Sequence, residues 1–357
     1  MLLLAWQVPS AAHGQRARRP TVTHDSWSDP APGVRYLHRI TSTPTHVHVV
    51  RADLSAPGVR VIATPHAERW ATVADFAATH GVEVAINGGF WSTLQTPRGL
   101  AAGEGRVWPA VTPDPDFGTL AVDGEGRASV HLPEDPPALD DLHEALSGRP
   151  VLVVDGVPYE GATEFPTAAD RAPRTAAGVS RDGRILWLVV VDGRQRDSRG
   201  MSLRELSELF VELGADRAIN LDGGGSSEMF VRHAGGVVST PSRGRWEIAV
   251  DELLGLGEQV RTTSTGTEVF VRGREREVMN HLGILAPSPS VPVAGHHAAL
   301  GGLVAVEPPP PPPLPPRVRL GAWRELLARA AATLLPATFA VAALVFVLRR
   351  CRSRFIH

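Results

Sequence analysis

Three short glycine-rich segments carry the residues of this sequence that could do chemistry. An asparagine opens the first segment and an aspartate opens each of the other two, and each follows a run of apolar residues. Carboxylate and amide side chains beside bare backbone N–H groups suit a polar or anionic ligand, because successive amides form an anion-holding concavity. The segments are Asn87-Gly88-Gly89-Phe90-Trp91, Asp192-Gly193-Arg194 and Asp222-Gly223-Gly224-Gly225-Ser226-Ser227.

Structural explanations of these segments stay open at this point. Asp192 and Asp222 could accept hydrogen bonds from the N–H groups of their own turns, and Arg174 could pair with a buried carboxylate. Three strand ends of one kind favour a shared ligand site, because sheets bind ligands beyond the ends of their strands. A metal held by Asp222 or Asp192 stays open, but we assign no metal and no cofactor, because the sequence shows no ligand cluster of diagnostic spacing.

Composition excludes several classes of function. The chain has 357 residues and a formal net charge of −2, which gives no support for a nucleic-acid partner. Its 36 basic residues are all arginines. The absence of lysine excludes Schiff-base chemistry and a phosphate-loop lysine. The single cysteine, Cys351, excludes an internal disulfide and a cluster of thiolate metal ligands.

The elements that position these residues follow from hydrophobic periodicity and helix caps. Thr72 and Gly81 bound one short helix, and Ser202 with Glu205 forms a capping box that starts another, which Gly214 ends. We expect an α+β fold, with a mixed central β-sheet, flanking helices and an active site at strand ends. Predicted strands cover 46–54, its partner 59–64, then 82–86, 118–122, 128–132, 151–154, 174–179, 185–191 and 217–221.

The two ends of the chain predict export and a membrane anchor. An apolar run of about 19 uncharged residues is near the span of a bilayer, and an arginine-rich tail follows it. This order places the folded part outside the cytoplasm, in the periplasm or at the cell surface. The segments are 1–12 (a signal-peptide remnant), 13–33 (a loose lead-in), 34–255 (the catalytic domain), 256–307 (a loosely structured extension), 308–316 (a polyproline spacer), 330–348 (a transmembrane helix) and 349–357 (a basic cytoplasmic tail).

The ordered series of motifs resembles that of the phosphodiester glycosidase family over residues 46–255. The sequence departs from the family after Pro241, where it reads Pro241-Ser242-Arg243-Gly244-Arg245-Trp246-Glu247, with Asp251 at the place of an asparagine. The motifs that carry the resemblance are Asn87-Gly88-Gly89-Phe90, Arg174-Thr175-Ala176-Ala177-Gly178-Val179, Val191-Asp192-Gly193-Arg194 and Asn220-Leu221-Asp222-Gly223-Gly224-Gly225-Ser226-Ser227.

The resemblance implies a hydrolase that cleaves the glycosidic bond of a sugar-1-phosphodiester, with an N-acetylglucosamine-like sugar. In that reaction Arg174 holds the phosphate as a planar fork. Asp222 or Asp192 faces the anomeric carbon or activates water, and which of them acts stays open. Asn87 binds a sugar hydroxyl, with Phe90 or Trp91 as a wall. The other substrate-binding residues are Gly88, Thr175, Gly193, Gly223, Gly224, Gly225 and Ser226.

Two other functions fit the same residues. One is a non-catalytic module that binds a glycan or a sugar phosphate while tethered to the membrane. The other is a phosphodiesterase that cleaves the P–O bond instead of the C–O bond. Release of free sugar or phosphate separates an enzyme from a binding module, and labelled water separates the two cleavage sites.

Overall fold

The computed structural model describes residues 20–242, 261–263, 266–268 and 275–287. The α-helices in these residues are α1 (Val73–His80), α2 (Glu160–Glu164) and α3 (Leu203–Leu213). The strands are β1 (Val22–Ala31), β2 (Val34–Thr41), β3 (Thr45–Asp53), β4 (Arg60–Ala63), β5 (Val84–Asn87), β6 (Ala101–Gly103), β7 (Arg106–Val107), β8 (Gly118–Asp123), β9 (Ala128–His131), β10 (Leu142–Gly148), β11 (Val151–Val154), β12 (Val157–Pro158), β13 (Arg174–Val179), β14 (Ile185–Val191), β15 (Arg217–Asn220), β16 (Met229–Val231), β17 (Gly236–Val237), β18 (Arg261–Thr263), β19 (Gly266–Glu268) and β20 (His281–Leu285).

Three sheets build the described part of the molecule, and β18 and β19 form a separate two-stranded ribbon. The largest sheet has eight strands in the order β1-β2-β3-β14-β13-β15-β11-β12. The two five-stranded sheets have the orders β17-β16-β5-β20-β4 and β7-β6-β10-β8-β9. Neighbouring strands in these sheets are antiparallel throughout.

The apolar run of β14 is explained by burial of both faces of the large sheet. Leu188 and Val190 face a core shared with both five-stranded sheets. Val189 and Val191 face the opposite side, where α3 packs. The predicted helix α3 is confirmed, with the capping box of Ser202 at its start and the left-handed Gly214 at its end. The helix α1 is also confirmed, between Thr72 and Gly81.

The predicted fold class was wrong. The structure is mostly β, and its central sheet is antiparallel rather than mixed. One face of that sheet is covered by α3, and the other is covered by further sheets, where the prediction expected flanking helices. The physical reason is that burial on both faces gives an apolar strand whatever the covering layer is.

Three strands also differ from the sequence prediction. The strand β4 pairs with β20, not with β3, whose neighbours are β2 and β14. The strand β1 (10 residues) lies within the segment 13–33, which was expected to be a loose lead-in. The strand β20 lies within the expected extension 256–307 and pairs with β4 and β5. The differences at β4 and β20 concern pairings between distant segments, which local periodicity does not report, whereas β1 pairs with the adjacent strand β2.

The predicted transmembrane helix has no counterpart in the described structure. Across residues 20–242 and the shorter described segments, no helix combines the length and the apolar character needed to cross a bilayer. The predicted span 330–348, the polyproline spacer 308–316, the tail 349–357 and the segment 1–12 lie outside the described residues.

Candidate active site

The first residue of β13 and the last residues of β14 and β15 meet at one end of the large sheet. Antiparallel pairing causes this, because a strand that starts at one end lies beside neighbours that finish there. Arg174 pairs with Val191, the last residue of β14, and β15 lies on the other side of β13. Asp192 and Asp222 follow these strands, so both leave the sheet near Arg174.

A cleft of about 1180 Å³, here called the main cleft, opens at this end. Four arginines and two aspartates line it, so its net charge is positive and favours an anionic ligand. The volume is that of a small-molecule site. The charged and polar lining residues are Arg149, Thr167, Asp170, Arg171, Arg174, Arg194, Gln195, Asn220, Asp222 and Ser242.

Asp222 is one of the residues that line the main cleft. Burial raises the pKa of Asp222 to about 6, against opposing effects of the Ser226 hydroxyl, the Arg276 charge and the Gly223 N–H. At pH 7 the group is mostly ionised, yet it exchanges its proton close to neutrality. Such a carboxyl group can act as a base or as a nucleophile.

Arg174 forms part of the wall beside Asp222. Its Nε donates to the carbonyl oxygen of Met201 at 3.0 Å, and its Nη2 donates to that of Asp170 at 2.7 Å. Burial lowers the pKa of Arg174 to about 10, so the group is still a cation at neutral pH. Main-chain oxygens therefore fix the guanidinium plane of Arg174. The sequence had left open a buried carboxylate as the partner of this side chain.

Asn87 lies beneath the cleft rather than in its wall. Its side chain is fully buried, and Nδ2 donates to the carbonyl oxygen of Asp222 at 2.7 Å. Its Oδ1 accepts from the hydroxyl of Thr175 at 2.7 Å and from the N–H of Glu228 at 3.1 Å. Asn87 and Thr175 thus join β5, β13 and the glycine-rich loop in this structure.

Asp192 lies behind the wall and does not line the main cleft. Its Oδ1 accepts from the N–H of Thr240 at 2.9 Å, and Oδ2 lies 3.4 Å from Nε2 of His48. The hydroxyl of Tyr36 lies 2.8 Å from the other ring nitrogen of His48. Burial, with the Asp192 charge, raises the pKa of Tyr36, so this hydroxyl keeps its proton at neutral pH.

Gly88 and Gly193 allow main chains to approach closely beneath the site. A Cβ on Gly88 would lie 2.3 Å from Oδ1 of Asn280. A Cβ on Gly193 would lie 2.6 Å from the nitrogen of Pro173. Real Cβ contacts are longer, so a larger residue at either position would displace the neighbouring segment. Both glycines serve packing in this structure.

The glycine-rich loop contributes Gly223 and Gly224 to the cleft lining. The N–H of Gly224 donates to the oxygen of Pro173 at 3.0 Å, and that of Ser226 donates to Gly223 at 3.3 Å. Gly224 has a φ of +66°, which an L side chain rarely adopts. Since these amides bond within the protein, the positive potential of the cleft comes mainly from its arginines.

Sequence reasoning missed two arginines that flank this loop. The Arg194 guanidinium lies over Gly224, with Nη1 3.2 Å from the position of a Cβ there. Arg194 has a φ of +61°, an uncommon conformation that often marks functional sites. Nη1 of Arg276 lies 3.0 Å from the equivalent point at Gly225. The position of Arg194 next to Gly193 was a usable signal, whereas nothing in the sequence linked Arg276 to Asp222.

Aromatic rings and a further arginine complete the opposite wall. Phe90, predicted as a ligand wall, lines the main cleft. The Arg149 guanidinium lies over the rings of Phe117 and Phe165, at 5.1 Å and 5.3 Å from their centroids. Trp91 lies to the side, beneath the guanidinium of Arg276 at 5.5 Å. Cation–π contacts of this kind hold a guanidinium in place without using its N–H groups.

Several buried oxygens near the cleft have no hydrogen-bond partner within the described residues. Two of them, Oδ1 of Asn220 and Oγ of Ser242, belong to residues that line the main cleft. Oε1 of Glu228 is a third. Burial, with the neighbouring charge of Glu275, raises the pKa of Glu228 to about 8, so this group is mostly protonated at pH 7.

Within the described residues, no three His, Cys, Asp or Glu side chains are grouped as metal ligands would be. The segment that departs from the family is described only as far as Ser242, and residues 243–251 lie outside.

Comparison with known proteins places this arrangement in a family. The family model described as phosphodiester glycosidase matches residues 80–285, more than half of the chain. N-acetylglucosamine-1-phosphodiester alpha-N-acetylglucosaminidase of Bos taurus is 29% identical over 194 residues, which are 49% of this chain and 36% of that protein. The SPbeta prophage-derived uncharacterized protein YomE of Bacillus subtilis (strain 168) is 35% identical over 105 residues, 29% of this chain and 16% of that protein.

Among solved structures, the catalytic domain of the zebrafish N-acetylglucosamine-1-phosphodiester alpha-N-acetylglucosaminidase, auto-inhibited by its pro-peptide, superposes with a TM-score of 0.48. The match is 20% identical and covers 76% of this chain and 85% of that one. The part of this chain that matches the Bos taurus and Bacillus subtilis proteins spans about a third or less of the length of each. The resemblance predicted from the motifs is confirmed by the family match, and this chain belongs to the phosphodiester glycosidase family.

Proposed function

We propose that this protein is a hydrolase that cleaves the glycosidic bond of a sugar-1-phosphodiester carrying an N-acetylglucosamine-like sugar. One observation carries the proposal. Asp222, whose pKa is raised to about 6, lines the same cleft as Arg174 and Arg194. A positive wall beside a carboxylate matches a substrate whose phosphate is anionic and whose sugar becomes cationic as the bond breaks.

The chemistry divides between these groups. Breaking the C–O bond releases a phosphate monoester as the leaving group, which is already an anion and needs little proton donation. Arg174 and Arg194 bind that phosphate and stabilise the charge it gains. The ionised Asp222 either attacks the anomeric carbon or removes a proton from the attacking water. Asp192, which lies behind the wall, positions the segment around Thr240.

The test is turnover of a sugar-1-phosphodiester by the full chain in heavy-oxygen water. Release of free sugar that carries the label supports C–O cleavage, whereas label in the phosphate would reassign the protein as a phosphodiesterase. We expect Asp222→Asn to lower kcat by about 10²- to 10⁴-fold, the range for loss of acid–base catalysis. Asp155→Asn is the matched control, because Asp155 is exposed in a turn with a φ of +52°, which asparagine tolerates.

A specific observation supports the second candidate, a module that binds a sugar phosphate without cleaving it. Glycosidases commonly use two carboxyl groups. Of the two predicted here only Asp222 lines the main cleft, and the other lining aspartate, Asp170, contributes its main-chain oxygen to Arg174. Saturable binding of the substrate with no release of sugar over days would favour this candidate. A location outside the cytoplasm is a further part of the proposal, supported by the sequence alone, and cell fractionation tests it.

A further inference from the structure

The loop that carries Arg194 follows β14 and is here called the arginine loop, residues 192–198. Arg194 and Gln195 both line the main cleft. The hydroxyl of Ser198 donates to the main-chain oxygen of Asp192 at 2.7 Å, and the N–H of Gln195 donates to that of Ser198 at 2.9 Å. These bonds close the loop on itself, so a shift of Asp192 moves Arg194 and Gln195 with it.

Two side chains of the arginine loop hold the main chain of Thr240. Oδ1 of Asp192 accepts from the N–H of Thr240 at 2.9 Å, and Nε2 of Gln195 donates to its carbonyl oxygen at 2.7 Å. Ser242, two residues further along the chain, lines the main cleft. The carboxyl group of Asp192 therefore joins two stretches of the cleft lining, although Asp192 is not one of the lining residues.

The other carboxylate oxygen of Asp192 contacts a buried histidine of β3. Oδ2 lies 3.4 Å from Nε2 of His48, and the hydroxyl of Tyr36 lies 2.8 Å from the other ring nitrogen. The ring of His38 lies parallel to that of His48, with centroids 4.9 Å apart and an interplanar angle of 3°. The His48 ring is thus held at both nitrogens and along one face, which fixes its orientation toward Asp192.

Asp192 is the residue on which these contacts converge. Its side chain is buried, and a buried carboxylate is costly unless its oxygens are hydrogen-bonded. Neither Tyr36 nor His48 is among the residues that line the main cleft, so both act on a ligand there only through Asp192.

We infer that Tyr36 and His48 are positioning residues for anion binding, which act by orienting Asp192. The carboxyl group of Asp192 in turn sets the positions of Arg194 and of the segment 240–242. The inference rests on the proposed function in one respect, because it takes a phosphate group as the ligand of Arg194.

Substitutions at His48 separate a positioning role from packing. The side-chain amide of glutamine reaches as far as Nε2 and can donate to Oδ2 of Asp192, whereas that of asparagine reaches only as far as Nδ1. Both substitutions remove the ring and its contact with His38. Packing alone therefore predicts similar effects for the two variants, and the positioning role predicts a difference.

The probe is inorganic phosphate, whose binding to the full chain by titration calorimetry does not depend on turnover. We expect His48→Asn to raise the Kd for phosphate about tenfold and His48→Gln to raise it by less than about threefold, because only the former loses the bond to a charged group. His233→Asn is the matched control, because His233 is exposed and does not line the main cleft. Equal Kd values in His48→Gln and His48→Asn, or no phosphate binding by the wild type, would overturn the inference.

Tyr36→Phe decides the question where His48→Asn does not fold. It removes one hydroxyl group and leaves Nδ1 of His48 without the partner that orients the ring, so we expect the Kd for phosphate to rise about fivefold. An unchanged Kd would count against the inference.

A double substitution tests whether the effect passes through the arginine loop. In an Arg194→Gln background, His48→Asn should change the Kd for phosphate by less than about twofold, because the cation that it positions is gone. A full tenfold effect in that background would contradict the route through Arg194. The expected pattern of phosphate binding in a protein that releases no sugar would refute the proposed reaction and leave the positioning role standing.

Discussion

The side-chain amide of Asn87 donates a hydrogen bond to the main-chain oxygen of Asp222 across 2.7 Å. The residue expected to bind a sugar hydroxyl thus supports, from below, the loop that carries the carboxyl group. Its other bonds, from Thr175 and from the N–H of Glu228, tie that loop to two strands. The position of Asp222 therefore depends on a buried polar network.

Asn87→Asp should destabilise the fold, because it removes the donor to Asp222 while keeping the acceptor for Thr175. A buried acceptor left without a partner costs about 1–3 kcal/mol of the free energy of unfolding, and a buried charge adds to that. Urea unfolding measures the change. Thr175→Ser, which keeps the hydroxyl group, is the control. Unchanged stability of Asn87→Asp would show that the network does not hold the loop.

The pH dependence of kcat/KM should have an acid limb near pH 6. Asp222, with its pKa raised to about 6, becomes protonated below that pH and loses its function as base or nucleophile. Arg276→Gln should move the limb to higher pH, because the charge of Arg276 lowers this pKa. Arg204→Gln, on an exposed part of α3, is the control. An acid limb near pH 4, or a shift to lower pH in Arg276→Gln, would contradict the assignment.

Asp192→Asn should change kcat/KM by less than about tenfold, because Asp192 lies behind the wall and Asn keeps an acceptor for the N–H of Thr240. Asp192→Ala should lose more, since it leaves that buried N–H without a partner, at about 1–3 kcal/mol of unfolding free energy. Steady-state kinetics and thermal unfolding of both variants test this. A hundredfold loss of kcat in Asp192→Asn, at unchanged KM and stability, would instead assign Asp192 to the chemical step.

Glu228 should make the fold less stable as the pH rises. Its pKa is raised from 4.5 to about 8, so between these values the unfolded chain releases a proton that the folded chain keeps. The free energy of unfolding then falls by at most about 1.4 kcal/mol per pH unit through this window. The contribution of Glu228 to the free energy of unfolding does not change with pH below about 4.5 or above about 8.

Glu228→Gln should remove that slope, and urea unfolding at pH 5 and pH 8 measures it. Glu277→Gln, on an exposed residue, should keep the wild-type slope. Parallel pH profiles for wild type and Glu228→Gln would show that Glu228 ionises normally in the folded state.

The local elements could be predicted because their causes are local. Ser202 and Glu205 cap α3 through bonds within one turn, and Gly214 ends it with a left-handed backbone that adjacent residues determine. The unbroken apolar run of β14 indicates that both faces of this strand are buried. Local patterns do not reveal strand pairings between distant segments. The partner of β4, for example, is β20, which lies far along the chain.

The sequence by itself determined the residues that meet at the site, their family, and most strands and helices that carry them. The tertiary structure alone decided which of those residues line the main cleft. It placed Asp222 and Arg174 in the lining of the main cleft, kept Asn87 and Asp192 out of that lining, and brought Arg194 and Arg276 close to Gly224 and Gly225 of one loop. The physical reason is that a side chain's role depends on hydrogen bonds and burial set by distant segments, and residue type and spacing do not encode these contacts.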